Sequence, residues 1–243
     1  MRIPLIGSKP RALTRIRQDV RTEIDEGTPM LAAAAADLPG GLRLRRYEPS
    51  DLAEVYDVCV RTAYSGGDAR GRYDTDDLMG DLFAGPYLYL EPGLSFVLED
   101  DGHVVGYVLA AADTERFAAA YRETWIPRLA DRYPPLDGPA ATETEQMIEI
   151  HYHPEGMVRP VLADHPAHLH IDLLPEYQRR GLGKLMIDTM FAALAEAGVP
   201  AVYVAMLTSN EPARAFYDRL GFYELTVPDP GELTFLGHRT QPA

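Results

Sequence analysis

The chain has 243 residues, 46% of them hydrophobic and 25% charged, which suits one soluble domain with an adequate core. Its formal net charge of −14 argues against a nucleic-acid binder and favours a basic acceptor drawn to the acidic surface, with a generally acidic enzyme as the alternative. A single cysteine excludes an intramolecular disulfide, and the sequence has no run near the roughly 20 apolar residues of a membrane span. It also has no secretory apolar segment, so we predict a cytoplasmic location.

Residues 1–40 are predicted to be an N-terminal extension outside the domain, which we place at 41–240. The first 21 residues contain one acid, Asp19, and six basic residues: Arg2, Lys9, Arg11, Arg15, Arg17 and Arg21. This segment is either an arm or short helix that packs on a neighbouring subunit, as in a homodimer, or a flexible tail.

The first half of the domain is predicted to alternate between strands and helices. Leu42–Tyr47 has the pattern of a strand, and Pro49 opens a helix whose apolar stripe includes Cys59, which we interpret as a core residue. Two apolar runs, Leu94–Leu98 and Val104–Ala110, flank an Asp-Asp-Gly turn and predict a β-hairpin.

Residues 113–165 interrupt this alternation with a long segment. Thr114–Arg122 has a helical pattern, which Pro127, Pro134 and Pro135 then break. Because a loop of this length without structure of its own is unusual unless it is functional, we interpret the segment as an insertion on the substrate side of the domain.

A strand, a glycine loop and a helix then follow one another, and together they predict an anion site. The apolar strand Ala167–Leu173 leads to the loop Gln178–Gly183, which opens the helix Gly181–Ala197. A helix N-terminus carries unpaired N–H groups and partial positive charge, glycine lets a phosphate approach the backbone, and arginine adds charged donors. The expected ligand is a pyrophosphate.

Two other kinds of glycine loop fit less well. A P-loop requires Ser or Thr after its lysine, but Leu185 follows Lys184. A dinucleotide-binding loop requires a third glycine where Met186 stands. Taken alone, the loop is also compatible with a plain turn from strand to helix.

The end of the chain is predicted to complete the sheet. Val202–Leu207 reads as a strand, Asn210 as the cap of the helix Glu211–Leu220, and Phe222–Val227 and Leu233–Leu236 as the last strands. Mixed strands that alternate with helices indicate an α/β or α+β domain of three layers.

Two segments carry a resemblance to a known family. Residues 168–183, HLHIDLLPEYQRRGLG, resemble motif A of the GNAT acetyltransferases, and residues 210–222, NEPARAFYDRLGF, resemble the second signature of that family. The resemblance covers 166–227 and extends to 42–111. Through the segment HIDLLPEYQ, the chain also resembles one subgroup of the family, the one similar to the acetyltransferase-like C-terminal domain of O-GlcNAcases. It implies the GNAT acyl-CoA N-acyltransferase fold, a mixed central sheet flanked by helices.

The resemblance implies that the glycine loop holds the pyrophosphate of acetyl-CoA, the co-substrate. The residues expected to contact acetyl-CoA are Leu173, Leu174, Gln178, Arg179, Arg180, Gly181, Leu182, Gly183, Lys184, Asn210, Phe216 and Tyr217. Tyr217 matches the general acid that protonates the leaving thiolate in this family, and a core aromatic beside Phe216 is the alternative role. Asn210 is expected to contact the pantetheine, to cap its helix, or both.

Several residues are candidates for the base that helps the attacking amine to lose its proton. An amine with a pKa near 10.4 needs about 4.6 kcal/mol to deprotonate at pH 7, so a base is useful. His168, His170 and Asp172 alternate along one strand and therefore share a face. By the resemblance, His168 stands where histone-type members have a catalytic glutamate, and the histidine pair is similar to that of serotonin-type members, one residue out of register. Hydrogen-bonded strand histidines are the alternative, and the reserve candidates are Glu149, His151 and His153.

The sequence therefore predicts an acetyl-CoA-dependent N-acetyltransferase that transfers an acetyl group directly to an amine, either a small molecule or a lysine-bearing peptide. One alternative is a non-catalytic acyl-CoA-binding pseudo-acetyltransferase or interaction module. Another is a metal-dependent enzyme built on the five histidines between 151 and 170. The first prediction needs no metal, and no metal ligand is assigned.

Overall fold

The computed structural model describes residues 36–38 and 40–241. The predicted extension, 1–40, lies almost entirely outside these residues, and its role stays a prediction. Ala36–Asp37 forms a short strand that pairs with Leu44 and Arg43, so the sheet begins shortly before the predicted boundary.

A mixed sheet of eight strands forms the centre of the described chain, in the order β1-β2-β3-β4-β5-β6-β8-β7. The strands are β1 Ala36–Asp37, β2 Leu42–Arg46, β3 Ser95–Asp100, β4 His103–Ala111, β5 Ala167–Leu173, β6 Ala201–Leu207, β7 Tyr223–Leu225 and β8 Leu233–Arg239. Neighbouring strands are antiparallel except β5 and β6, which are parallel. The predicted mixed sheet is confirmed.

Helices flank this sheet. They are α1 Leu52–Thr62, α2 Asp77–Phe83, α3 Gly85–Leu90, α4 Thr114–Ala120, α5 Ile126–Leu129, α6 Glu143–His151, α7 Leu182–Glu196 and α8 Glu211–Arg219. α1 packs on β4 and β5, and α7 packs on β3, β4 and β5 from the other side. Cys59 lies buried in α1, as predicted. None of the described helices combines the length and the hydrophobicity needed to cross a membrane.

The strands β5 and β6 begin side by side and then separate. Their register contains only two pairs, Ala167 with Val202 and His168 with Tyr203, although each strand has seven residues. β4 stays paired with β5 as far as Leu173. Among the described residues, the edge of β5 that faces β6 therefore has no strand partner beyond His168. Its backbone N–H and C=O groups can bind a ligand there.

The predicted insertion is folded, and a buried carboxylate anchors it to α1 and α2. The Asp81 side chain is 0% exposed and accepts hydrogen bonds from the hydroxyls of Tyr56 and Tyr133, at 2.9 and 2.8 Å. Arg132 forms an ion pair with Asp81 at 2.8 Å, and the Trp125 indole donates to the Asp81 carbonyl at 2.8 Å. Burial raises the pKa of Asp81 from 3.8 to about 6. A buried carboxylate is tolerated only when partners such as these satisfy it, so the insertion and the helices depend on one another.

Candidate functional site

The glycine loop lies at the N-terminus of α7, and one of its glycines has a backbone conformation that favours glycine. Gly181 is the N-cap residue of α7 and has a φ of +81°, in the left-handed region. A Cβ there would meet no atom within 4 Å, so conformation rather than space requires glycine. Gln178 ties the loop to the end of β5 by donating from Nε2 to the Leu173 carbonyl at 2.9 Å. The first N–H groups of α7 are thereby held beside the open edge of β5.

Positively charged side chains surround this helix start. Arg179 and Arg180 are exposed, and the Arg180 guanidinium lies over the Tyr177 ring at 5.5 Å. Lys184 forms an ion pair with Asp188 one turn further on, at 2.5 Å. A cavity of about 340 Å³ adjoins the loop and is lined by Leu38, Leu42, Arg180, Gly181, Leu182 and Leu185. The positive helix end and the two arginines fit a pyrophosphate, and the open strand edge fits the chain of amides that follows it in coenzyme A.

Gly183 packs against the neighbouring helix α8. A Cβ at this position would lie 3.0 Å from the Phe216 ring of α8, so the absence of a side chain lets α8 approach α7. Packing against Phe216 is what the structure shows for this glycine, and the predicted contacts of Gly183 and Phe216 with acetyl-CoA stay predictions.

The helix α8 carries Tyr217, which lies close enough to Asp172 of β5 for the carboxylate charge to act on it. Asn210 caps this helix by accepting a hydrogen bond from the Ala213 amide at 3.2 Å, so its predicted capping role is confirmed. Tyr217 is 7% exposed and its ring contacts those of Phe216 and Phe222. Burial, and then the charge of Asp172, raise the pKa of Tyr217 above 10.0. The phenol is therefore protonated at neutral pH and able to donate.

His168 is buried, and both of its ring nitrogens are engaged. Nε2 lies 2.7 Å from the Tyr87 hydroxyl and Nδ1 lies 2.8 Å from the Thr114 hydroxyl. Burial, and then the neighbouring His170, lower the pKa of His168 from 6.5 to about 3. Neither nitrogen is open to a proton from a substrate in this arrangement. The geometry therefore does not favour the predicted base role, and His168 closes the inner end of the opening between β5 and β6.

His170 lies further along β5, beyond the last residue pair with β6. Its side chain is partly exposed, and its ring lies 6.2 Å from that of Phe83 and 5.1 Å from that of Tyr87. Burial lowers the pKa of His170 from 6.5 to about 4, so the imidazole is neutral at pH 7. A neutral imidazole can accept a proton. Of the two histidines on this face, His170 is the one that a substrate in the opening can reach.

Asp172 completes the row and is also partly exposed. Its Oδ2 accepts a hydrogen bond from the Tyr107 hydroxyl at 2.5 Å, and the Thr62 hydroxyl lies within hydrogen-bonding range. Burial raises the pKa of Asp172 above 3.8, whereas these two hydrogen bonds oppose the shift. In the part of the chain that the structure describes, no arginine or lysine forms an ion pair with this carboxylate.

The reserve candidates for the base lie in the insertion and do not join this row. Glu149 and His153 are exposed. His151 is 2% exposed, with Nδ1 at 2.8 Å from the Tyr121 hydroxyl and Nε2 buried without a hydrogen bond. Burial lowers the pKa of His151 to about 4. Within residues 36–38 and 40–241, no group of three or more His, Cys, Asp or Glu side chains is placed to hold a metal ion.

Sequence reasoning missed Tyr107 and Thr62, which contact Asp172 from β4 and α1. The strand register places Tyr107 directly opposite Asp172, and no local pattern predicts that register. One signal was present, since Tyr107 is a polar aromatic residue within an otherwise apolar strand. Phe83 and Tyr87, which contact the histidines, are recognisable only from the packing of α2 and α3 on β5.

The fold and the site together define an acyl-CoA-dependent acyltransferase domain. A sheet opens between two parallel strands, a helix start suited to a pyrophosphate lies beside the open strand edge, and a protonated tyrosine approaches a carboxylate on that edge. The chain belongs to the acetyltransferase (GNAT) family, whose model matches residues 136–222. The predicted family, the acyltransferase class and acetyl-CoA as co-substrate are confirmed.

Three proteins illustrate the similarity. Protein O-GlcNAcase from Rattus norvegicus is 27% identical over 198 residues, which are 80% of this chain but only 22% of that protein, and this match supports the predicted subgroup. The ribosomal protein bS18-alanine N-acetyltransferase of Salmonella typhimurium is 32% identical over 81 residues, 33% of this chain and 55% of that enzyme. The crystal structure of SsHAT is 48% identical, with a TM-score of 0.80 and coverage of 83% of this chain and 100% of that one.

Proposed function

We propose that the chain transfers the acetyl group of acetyl-CoA directly to a primary amine, carried by a small molecule or by a lysine-bearing peptide. The observation that carries this proposal is the opening between β5 and β6, where His170 and Asp172 lie on β5 beyond its last pair with β6 and the charge of Asp172 acts on Tyr217 of α8. Donor and acceptor would meet there in one ternary complex.

Backbone groups and positive charge would hold the donor. The N–H groups at the start of α7, with Arg179 and Arg180, would bind the pyrophosphate, because a helix N-terminus and guanidinium groups both favour anions. The free backbone groups of β5 near Asp172 and Leu173 would hydrogen-bond the pantetheine arm and the acetyl carbonyl. Acetyl-CoA supplies the activated thioester, and the residues of this chain hold and orient it.

The acceptor must lose a proton, and His170 does not take it directly from an ammonium group. A pKa of about 4 for His170 lies about 6 units below that of an alkylammonium group, a difference of about 9 kcal/mol. We propose that Asp172 attracts the ammonium group, that water carries off its first proton, and that His170 accepts the second one. That second proton is far more acidic once the nitrogen has added to the carbonyl.

Tyr217 would act on the leaving-group side. Because burial and the charge of Asp172 raise its pKa, its hydroxyl keeps its proton at neutral pH and can pass it to the departing thiolate. This is the general-acid role that the sequence predicts, and the arrangement of Tyr217 beside Asp172 supports it.

A second candidate function is an acyl-CoA-binding module that has lost catalysis. It is favoured by the enclosure of His168 and by the low pKa of His170, which leave no strong base in the opening. A cytoplasmic location and a homodimer also remain proposals.

Amine-dependent release of free thiol from acetyl-CoA, measured over a panel of alkylamines, polyamines and lysine-bearing peptides, separates these functions. The proposed transferase releases thiol only with some of the amines. Calorimetric binding of acetyl-CoA with no amine-dependent release would identify the binding module. Absence of both binding and release would contradict both functions.

A further inference from the structure

The carboxylate of Asp172 is held on one side by a residue that cannot itself reach a ligand. Tyr107 lies directly opposite Asp172 in the register of β4 and β5, and its hydroxyl donates to Oδ2 at 2.5 Å. Tyr107 is 1% exposed, so its hydroxyl is enclosed by protein, whereas Asp172 is partly exposed to the opening. The pair therefore has an enclosed end and an accessible end.

The other groups that face Asp172 leave its charge uncompensated. They are the Cys59 thiol and the Thr62 hydroxyl from α1, the Tyr217 phenol from α8 and the His170 ring on its own strand. All four are neutral at pH 7, because burial raises the pKa values of Cys59 and Tyr217 and lowers that of His170. The Thr62 hydroxyl donates its single hydrogen to the Val58 carbonyl, with 2.8 Å between the two oxygen atoms, so that carbonyl competes with Asp172 for it. Tyr107 is thus the committed donor.

A partly buried carboxylate without a counter-ion is costly unless a cation joins it. We propose that Tyr107 is the positioning residue of Asp172: its hydroxyl holds Oδ2, so that Oδ1 faces the opening and binds the ammonium group of the acceptor. The acceptor is then an alkylammonium compound, such as a lysine side chain or a polyamine, rather than an alcohol or an arylamine. This inference rests on the proposed function and names the acceptor class of the same site.

Loss of the Tyr107 hydroxyl has a specific consequence. A hydrogen bond to a carboxylate stabilises its charged form, so Tyr107→Phe raises the pKa of Asp172 further and frees the carboxylate to rotate. Binding of an alkylammonium ion therefore weakens, and it weakens most at acidic pH. Acetyl-CoA binding is unchanged, because Tyr107 lies away from the glycine loop.

The test follows the Asp172 carboxyl carbon by NMR in protein labelled with ¹³C at aspartate. Butylammonium is titrated into the protein saturated with coenzyme A, which carries no acetyl group, so that no transfer occurs. We expect butylammonium to shift the Asp172 signal of the wild type. In Tyr107→Phe the affinity falls about tenfold or more and the pKa of Asp172 rises. The matched control is Tyr56→Phe, which removes a buried tyrosine hydroxyl from another carboxylate, that of Asp81. It leaves the affinity for butylammonium and the pKa of Asp172 unchanged.

Equal affinity and equal pKa values in Tyr107→Phe and the wild type would overturn the inference, and so would the absence of any butylammonium effect on Asp172. Should Tyr107→Phe fail to fold, calorimetry on Asp172→Asn saturated with coenzyme A must show no butylammonium binding, and retained binding would overturn the inference as well. The proposed function fails separately, if thiol release is absent while the Asp172 signal still responds as expected.

Discussion

At the scale of single residues, the chemistry of the opening depends on Asp172. Burial and then the charge of Asp172 raise the pKa of the Tyr217 phenol, and the charged form of Asp172 is itself supported by Tyr107. One carboxylate can therefore attract a cationic acceptor and also act on the proposed general acid. His168, by contrast, contributes its packing and two hydrogen bonds.

Replacing Tyr217 by Phe removes the proposed acid while the ring continues to pack against Phe216 and Phe222. The expected result is a fall in kcat of about a hundredfold, within the range usual for a general acid, with unchanged affinity for acetyl-CoA. Tyr223→Phe is a suitable control, because it removes the hydroxyl of an exposed tyrosine that contacts His165. Thiol-release kinetics check this, and a full rate in Tyr217→Phe would exclude the acid role.

Buried neutral histidines should make the protein sensitive to acid. His151, His168 and His170 have folded-state pKa values of about 4, about 3 and about 4, so below pH 6.5 the unfolded chain binds protons that the folded chain does not. Each lowers the free energy of unfolding by about 3 kcal/mol by pH 4. Asp81 opposes them by about 2 kcal/mol at that pH, since its pKa of about 6 lets the folded state bind a proton first. For these four groups the net loss by pH 4 is about 7 kcal/mol.

Urea unfolding at a series of pH values measures this loss. His151→Phe should reduce it, because the variant no longer contains one of the three histidines that the unfolded state protonates first. Stability that stays constant or rises as the pH falls from 6.5 to 4 would show that these histidines are not held neutral in the folded protein.

At the scale of elements, the sequence predicts what short-range signals encode. The glycine loop, the capped helix α8 and the hairpin of β3 and β4 are found close to their predicted positions. The insertion is different. The sequence predicts the helix at its start, but it does not predict the contacts of Trp125 and Tyr133 with Asp81, because these residues are far apart along the chain. The pairing of Tyr107 with Asp172 is likewise set by strand register, which local patterns do not reveal.

The loop before α7 is the element that should decide affinity for the donor. Arg180→Glu replaces an exposed guanidinium by a carboxylate beside the expected pyrophosphate, and we expect acetyl-CoA to bind at least about tenfold more weakly. Arg116→Glu makes the same change of charge on α4, where Arg116 pairs with Glu91, and should leave affinity unchanged. Calorimetry compares the two, and equal affinities would mean that the pyrophosphate binds elsewhere.

At the scale of the whole molecule, an acidic protein must bind a polyanionic donor and a cationic acceptor. The net charge of −14 favours the acceptor at long range, whereas the donor depends on local positive charge at the start of α7. Lysine stands at only two positions in the chain, Lys9 and Lys184, so acetylation of the protein's own lysines adds little background to an assay of acetyl transfer.

Direct transfer to an amine requires that no acetylated protein intermediate forms, and acetyl-CoA labelled in its acetyl group tests this. The labelled donor is mixed rapidly with the protein and an amine, either a polyamine or a lysine-bearing peptide, and the label is followed by mass spectrometry in both protein and amine. We expect labelled amine product that forms without prior labelling of the protein. Label that enters the protein before the product, or an amine that stays unlabelled while acetyl-CoA is bound, would contradict it.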